Sequence, residues 1–381
     1  MFLRLPFLFL TLSFVAGCQT TDIRSFENAS QVNKISKEEE RLWHQAGKAN
    51  KSLLKSDAIY QNPEVTQYVQ GVMDKLFPEF KGKITVRLLN TPYLNAFALP
   101  SGDIYLNVGM LSRFENEAQL ATVLAHEGAH FIHKHSLKQT RNTKGSAAFA
   151  VSLAVVGIPI IGDLVALSSI FGYSQELETE ADNVAYKRLI IAGYDGRQAK
   201  IIFQQLAAEV KSLGVDEPFF FATHPRLKER IENYAKLDKS VEAKGDIGEE
   251  QFLASTKQAR LYSLDSDLSL HRYKSIILNI GKNITKLKSL PEANYYLGEA
   301  YRLRNEENDN EKTIIHYNRA MTLAPEFAPT YRAIGLYYMK NEQYRDAHSM
   351  LGEYLKRSPK AKDKAFIAQY YNKLEEQLEN E

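Results

Sequence analysis

His126-Glu127-Gly128-Ala129-His130 places two imidazoles four positions apart with a carboxylate beside the first. On an α-helix, residues i and i+4 share a face, so both rings reach a single metal ion. Glu127 projects beside them, where it can take a proton from the attacking water. This H-E-x-x-H arrangement is the ligand and base pattern of zinc-dependent hydrolysis. A catalytic zinc site also needs a third protein ligand and an open position. One solution requires a glycine three residues after His130 and a histidine three residues further on. His133 and Ser136 stand there instead, so that solution fails. The alternative is a glutamate from a second helix, and Ser174–Tyr186 offers Glu176, Glu178 and Glu180. Glu178 and Asp182 lie four apart, and Asp182 is suited to accept the outer N–H of a ligand histidine and fix its tautomer.

The elements that must position these groups are legible around them. Ser112 followed by Glu115 reads as a capping box opening the first helix. Ala118, Leu120, Ala121, Val123, Leu124 and Ala125 give it a buried approach to His126. Gly128 costs about 1 kcal/mol of helix propensity relative to Ala and is expected to leave open space beside the metal. Leu177, Ala181, Val184, Ala185 and Leu189 form the apolar stripe of the second helix. Lys83–Leu89 reads as a strand, and Ala96–Leu99 and Asp103–Val108 flank Pro100-Ser101-Gly102 as a hairpin. An edge strand beside the metal helix would let an extended peptide add to the sheet. His224, before Pro225 at a helix start, and Arg230 are candidate donors to the oxyanion of a tetrahedral intermediate. His133, His135 and His44 read as surface or packing residues.

Taken together, His126-Glu127-x-x-His130, Glu178-x-x-Ala181-Asp182, and Thr223-His224-Pro225 with Arg230 resemble the HtpX/Oma/BepA-type gluzincin metallopeptidases. Asn95-Ala96-Phe97-Ala98 matches that family's strand segment before the metal helix, and the resemblance covers roughly residues 37–238. It implies that Glu178 is the third ligand, that one Zn²⁺ is held per chain, and that Glu127, His224 and Arg230 serve catalysis. Asn95–Ala98 would be the substrate strand. In BepA-like members the equivalent of His224 can fill the open metal position, which implies a latent state. Gln175 departs from the family, which usually has Arg there.

The amino terminus suggests an address. Met1-Phe2-Leu3-Arg4 and the apolar stretch Leu5–Ala16 have signal-peptide length, ending in Val15-Ala16-Gly17-Cys18, a lipobox-like sequence. Cys18 is the only cysteine, so it forms no internal disulfide and is the candidate lipidated residue. Gln19 in place of an Asp retention signal points to the periplasm and an outer-membrane anchor. Residues 1–17 are thus expected to be a lipoprotein signal peptide and 18–36 a lipidated tether. Gly145–Tyr173 is largely apolar, but Gly157, Pro159, Gly162 and Asp163 break it into pieces shorter than a membrane span, so it is expected to pack between the two metal-site helices, with a mobile lid or a lipid-facing loop as the alternative.

The last third is Tyr-rich and repetitive. Pro291, Pro325 and Pro359 recur every 34 residues, the tetratricopeptide period. Tyr331, Ile334, Gly335, Tyr338, Tyr344, Ala347, Leu351 and Tyr354 fall on that repeat's consensus positions, as do Asn294, Leu297, Gly298, Tyr301, Tyr317 and Ala320 one unit earlier. A short insertion is expected around Asn305–Asn310, a degenerate unit over residues 251–290 and a capping helix over 361–378. The fold expected is therefore an α+β zincin-like metallopeptidase domain over 37–243, mostly helical with a small β-sheet, followed by an all-α tetratricopeptide-repeat solenoid over 251–381. Such solenoids present a concave face to other proteins.

The net charge of +2, with 44% hydrophobic and 25% charged residues, is an ordinary globular balance. No basic cluster points to nucleic acid. The reading that unites these features is a lipid-anchored periplasmic zinc endopeptidase of unfolded or misassembled proteins, chiefly outer-membrane proteins. Its repeats would dock substrate or an outer-membrane protein assembly complex. The alternative is a non-proteolytic chaperone with a latent zinc site.

Overall fold

The computed structural model describes residues 23–142, 173–213, 224, 226–239, 244–281 and 292–380. Cys18, the leader, Thr223, Pro225, Pro291 and Gly145–Gly172 lie outside them. Among the described residues no helix is long and apolar enough to cross a membrane.

The amino-terminal half is helical with one small sheet. Helix α1 (Lys37–Lys55) opens on a capping box in which Ser36 and Glu39 satisfy each other's backbone N–H, and α2 (Pro63–Leu76) opens on Asn62 with Pro63 in its first turn. Strands β1 (Thr85–Leu89), β2 (Ala96–Ala98) and β3 (Asp103–Asn107) follow. The Pro100-Ser101-Gly102 signal does make a hairpin: β2 pairs antiparallel with β3, Phe97 facing Tyr105. β1 pairs with β3 in parallel, giving the order β1-β3-β2. The outer side of β1 is partly covered, since Tyr60 N–H donates to Leu88 O. β2 is the other edge and runs against the metal helix α4 (Glu117–Ile132).

The expected cap of α4 is corrected. Asn116, not Ser112, caps it, its side chain accepting from Gln119 N–H. Ser112 instead ends the short helix α3 (Val108–Leu111) and bonds back to Gly109 O. Gly128 is corrected as well. A Cβ there would meet the Phe77 ring at 2.4 Å, so the glycine lets α4 lie against the end of α2 and leaves no open space at the metal.

α5 (His135–Asn142), α6 (Gln175–Ile191), α7 (Arg197–Leu213) and α8 (Leu227–Lys239) complete this half. α4 and α6 pack directly on each other. On α6, Leu177, Ala181, Ala185 and Leu189 are buried, while Val184 is only half-buried.

The remaining helices are α9 (Glu249–Ser269), α10 (Tyr273–Gly281), α11 (Ala293–Arg304), α12 (Asp309–Leu323), α13 (Ala328–Lys340), α14 (Tyr344–Arg357) and α15 (Lys364–Glu379). They pack chiefly on their sequence neighbours, α11 on α12 and α13 on α14 most extensively. Small residues set these approaches. A Cβ on Gly298 would meet Tyr317 at 2.4 Å, and one on Gly335 would meet Leu351 at 2.6 Å. Between α11 and α12, Asn305 and Asn308 both take left-handed backbone, φ +54° and +64°, within the expected insertion. α9 and α10 join the amino-terminal half: one hydrophobic core runs from Phe26 through Phe114 to Phe252, Leu264 and Ala300. A buried polar cluster reinforces the join. Arg113 pairs with Glu209 at 2.9 Å and Asp267 at 2.7 Å, Ser275 donates to Glu209, and Arg260 donates to Phe114 O at 2.6 Å.

Candidate metal centre

Two packed helices bring the site together. His126 and His130 project from one face of α4, and Glu178 reaches them from the first turn of α6. His126 Nε2 lies 2.9 Å from His130 Nε2 and 3.4 Å from Glu178 Oε2, while His130 Nε2 is 3.5 Å from Glu178 Oε1. The other two glutamates point elsewhere. Glu176 is exposed, and Glu180 turns toward His133 and His135.

His224, just ahead of α8, enters the same cluster. Its Nδ1 is 3.2 Å from His126 Nε2 and 3.0 Å from Glu178 Oε1, and its Nε2 is 3.3 Å from Glu127 Oε1. All these side chains, Glu127 included, are at most 3% exposed.

Asp182, one turn beyond Glu178, lies behind His126, its Oδ1 3.0 Å from Nδ1. Arg230 Nη2 is equally close to that nitrogen but donates to Asp182 Oδ1 at 2.6 Å, while Arg230 Nε donates to Oδ2 at 3.0 Å. Tyr234 adds a third donor to Asp182 at 2.8 Å. The Asp182 carboxylate is therefore the acceptor for the His126 Nδ1–H, which leaves Nε2 facing the cluster. Burial pushes the Asp182 carboxyl up, but Arg230 and His126 outweigh it and hold it low. Burial and Arg230 oppose protonation of His126, yet Glu178 and Asp182 push it up to about 9. Burial and neighbouring His126 drive His130 well below the ordinary range.

These donors fit zinc. Tetrahedral bonds of about 2.0–2.1 Å place ligand atoms about 3.3 Å apart, and the separations here run from 2.9 to 3.5 Å. Glu178 Oε2 and both Glu127 oxygens are buried without a hydrogen bond. Such atoms are costly unless a cation or water satisfies them. His126, His130 and Glu178 would hold the ion, with His224 Nδ1 at the fourth corner.

Three further groups escaped the sequence. His135, read as a surface or packing residue, is fully buried, and its Nδ1 lies 2.9 Å from His130 Nδ1. The means is Lys134, which at φ +54° ends α4 and turns the chain so that α5 starts beside His130. Tyr173 stacks on the His130 ring, centroids 4.0 Å apart, and its hydroxyl bonds Ser136. Tyr234 is the third. Only knowledge of the break at Lys134, or of the three-dimensional path after Gly172, would have exposed the first two. Gln175, where the family usually has Arg, accepts a hydrogen bond from Arg226.

A buried helix-borne His-Glu-x-x-His set completed by a glutamate from a second helix defines a zinc-dependent metallopeptidase site of the gluzincin class. Residues 60–238 match the model of Peptidase family M48, so this part of the chain is an M48 zinc metallopeptidase domain, of the HtpX/Oma/BepA type that the motifs imply. Mitochondrial metalloendopeptidase OMA1 of Arabidopsis thaliana is 34% identical over 42% of this chain and 32% of its own length. The putative beta-barrel assembly-enhancing protease of Vibrio cholerae is 26% identical over 47% of this chain and 40% of its own. The beta-barrel assembly-enhancing protease of Escherichia coli K12 is 24% identical over 46% and 39%. The chain thus spans less than half the length of these curated relatives.

Proposed function

We propose that this chain is a lipid-anchored periplasmic zinc metalloendopeptidase that acts on misfolded or stalled outer-membrane proteins. The observation that carries the activity is the buried convergence of His126, His130 and Glu178 beside Glu127. Zinc bound there would acidify its water and polarise the scissile carbonyl. Glu127 would take the proton from the attacking water and return it to the leaving amine. Arg230 donates twice to Asp182 and so orients His126 through that carboxylate, while its Nη1 lies 3.4 Å from Glu178 Oε2. His224 Nδ1 at the fourth corner keeps water out, so the arrangement is a resting one from which His224 must withdraw.

Asn95–Ala98 is the proposed substrate strand, since β2 is the sheet edge against α4. Backbone pairing there would select unfolded segments over particular sequences. The expected 34-residue proline spacing and the glycine contacts at Gly298 and Gly335 support reading the carboxy-terminal helices as tetratricopeptide repeats that dock substrate or an outer-membrane protein assembly complex. The similarity to beta-barrel assembly-enhancing proteases supports the reading of outer-membrane proteins as substrates, and the Cys18 lipobox supports the periplasmic anchor.

The occupied fourth corner also favours a second reading, a non-proteolytic chaperone with a latent site. Cleavage of an unfolded outer-membrane protein by the purified chain separates the two. The peptidase reading expects slow cleavage, faster in His224→Ala and absent in Glu127→Gln with zinc retained. Zinc-loaded chain inert in both parent and His224→Ala, with Glu127→Gln complementing a deletion fully, would establish the chaperone.

A further inference from the structure

A second group of metal-ligating side chains lies beyond the first. His133 Nδ1 is 2.6 Å from Glu180 Oε1, and His135 Nε2 is 3.2 Å from Glu180 Oε2. The three offer ligand atoms within 4.8 Å of one another. His135 is fully buried, whereas the side chains of His133 and Glu180 are 20% and 36% exposed, so the group opens to solvent on one side. Ser25 Oγ lies 3.1 Å from His133 Nδ1, and Lys138 Nζ lies 3.1 Å from Glu180 Oε2. Two imidazoles and a carboxylate with a solvent-facing position are the ligand set of a three-ligand zinc site.

We propose that His133, His135 and Glu180 form a second site for a zinc-like divalent cation, and that filling it opposes metal binding at the catalytic cluster. The opposition follows from the hydrogen bond between His130 Nδ1 and His135 Nδ1 at 2.9 Å. A neutral imidazole has one N–H and one lone pair. With a metal on His130 Nε2, the His130 proton is on Nδ1 and donates to His135 Nδ1. The His135 proton is then on Nε2 and donates to Glu180 Oε2, so every atom is satisfied and the second site is closed. A metal on His135 Nε2 forces the reverse. The His135 proton moves to Nδ1 and donates to His130 Nδ1, and the His130 proton moves to Nε2, where it blocks ligation. Each ring keeps one proton throughout, so one ion excludes or weakens the other. By thermodynamic reciprocity the weakening is mutual, commonly 5- to 150-fold, about tenfold here. Lys138 holds Glu180 by charge and sets the second site as the weaker one.

The inference rests on His130 being a metal ligand. Stoichiometry distinguishes its failure from failure of that reading, because it registers binding whether or not the chain cleaves anything. The full chain would be titrated with Zn²⁺ at equilibrium and with Co²⁺ followed by its d–d absorption. Two classes are expected, one tight and one at least tenfold weaker. His133→Ala and Glu180→Gln should each lose only the weak class, and the retained tight class certifies their folding. Lys138→Gln should tighten the weak class severalfold. Excess Zn²⁺ should reduce peptide cleavage by the parent and not by His133→Ala. A single class in the parent, or a weak class that survives both substitutions, overturns the second site. A second class that binds as tightly as the first overturns the opposition. Loss of the tight class from the parent, with the weak one intact, instead removes the catalytic reading.

Discussion

Replacing Gly128 by Ala should destabilise the peptidase domain although it raises the helix propensity of α4. Propensity alone favours the substitution by about 1 kcal/mol. Packing opposes it. The new Cβ would lie 2.4 Å from Cε2 and 2.8 Å from Cζ of Phe77, both far inside contact distance. Phe77 has little freedom to yield, being 1% exposed, with the Arg188 guanidinium 4.7 Å over its ring. Overpacking of this kind costs about 1–3 kcal/mol, and with little room for Phe77 to yield the upper part of that range applies, so the net loss is up to about 2 kcal/mol. At 2–4 °C per kcal/mol for a unit of this size, the midpoint of thermal unfolding should fall by up to about 8 °C. His126 and His130 stand two residues on either side of Gly128, so the helix shift that relieves the clash also displaces the metal ligands, and zinc affinity should fall with stability. Calorimetry of metal-free and zinc-loaded protein reads both effects. Gly128→Ala combined with Phe77→Leu should recover most of the loss. A Gly128→Ala protein that melts higher than the parent, with unchanged zinc affinity, would refute the packing argument.

Asp182→Asn should weaken zinc binding by about 10- to 100-fold, the usual effect of losing the partner behind a ligand histidine, and chelator competition measures it. The same change leaves Arg230 buried without its carboxylate and should cost about 3–5 kcal/mol in urea unfolding. Arg113→Met removes the closest cation from Glu209 and Asp267 in the join between the two halves and leaves them to Arg272, 3.7 and 3.2 Å away. With Arg272 still in place it should cost less than the roughly 3–5 kcal/mol of a fully unpaired buried charge and expose the α9–α10 region to hydrogen exchange before the rest. Burial pushes the Glu39 carboxyl up, but Lys134 and Ser36 pull it further down, below its ordinary 4.5. A depressed folded value contributes stability that is complete above about 4.5 and lost as pH falls through the folded value. Glu39→Gln should therefore be less stable than the parent near neutral pH, with the gap closing in acid, as parallel melts across pH would record.

What the sequence made legible depended on distance along the chain. His126, Glu127 and His130 could be read because one helix turn fixes their relation. The β2–β3 hairpin could be read because Pro100-Ser101-Gly102 sits between two strand-like runs. The parallel pairing of β1 with β3 carried no such local mark. Glu176, Glu178 and Glu180 alternate around a helix, and spacing alone does not say which one faces α4. The family resemblance implied Glu178, and packing of α6 on α4 turns that residue inward. The contact of His135 with His130 was not legible because i+5 on a continuous helix points away from His130. The left-handed turn at Lys134, braced by its Nζ on Glu39 and over the Phe26 ring, reverses that direction. Gly128 was misread for a related reason, since its neighbour Phe77 is fifty-one positions away.

The account turns on one zinc held by His126, His130 and Glu178 with His224 at the fourth corner. X-ray absorption at the zinc edge, on chain loaded with one equivalent, tests that directly. The prediction is a first shell of nitrogen and oxygen at about 2.0–2.1 Å with three imidazoles, and one imidazole fewer in His224→Ala with zinc still bound. An unchanged shell in His224→Ala, or full zinc binding by a chain lacking both His126 and His130, would contradict it.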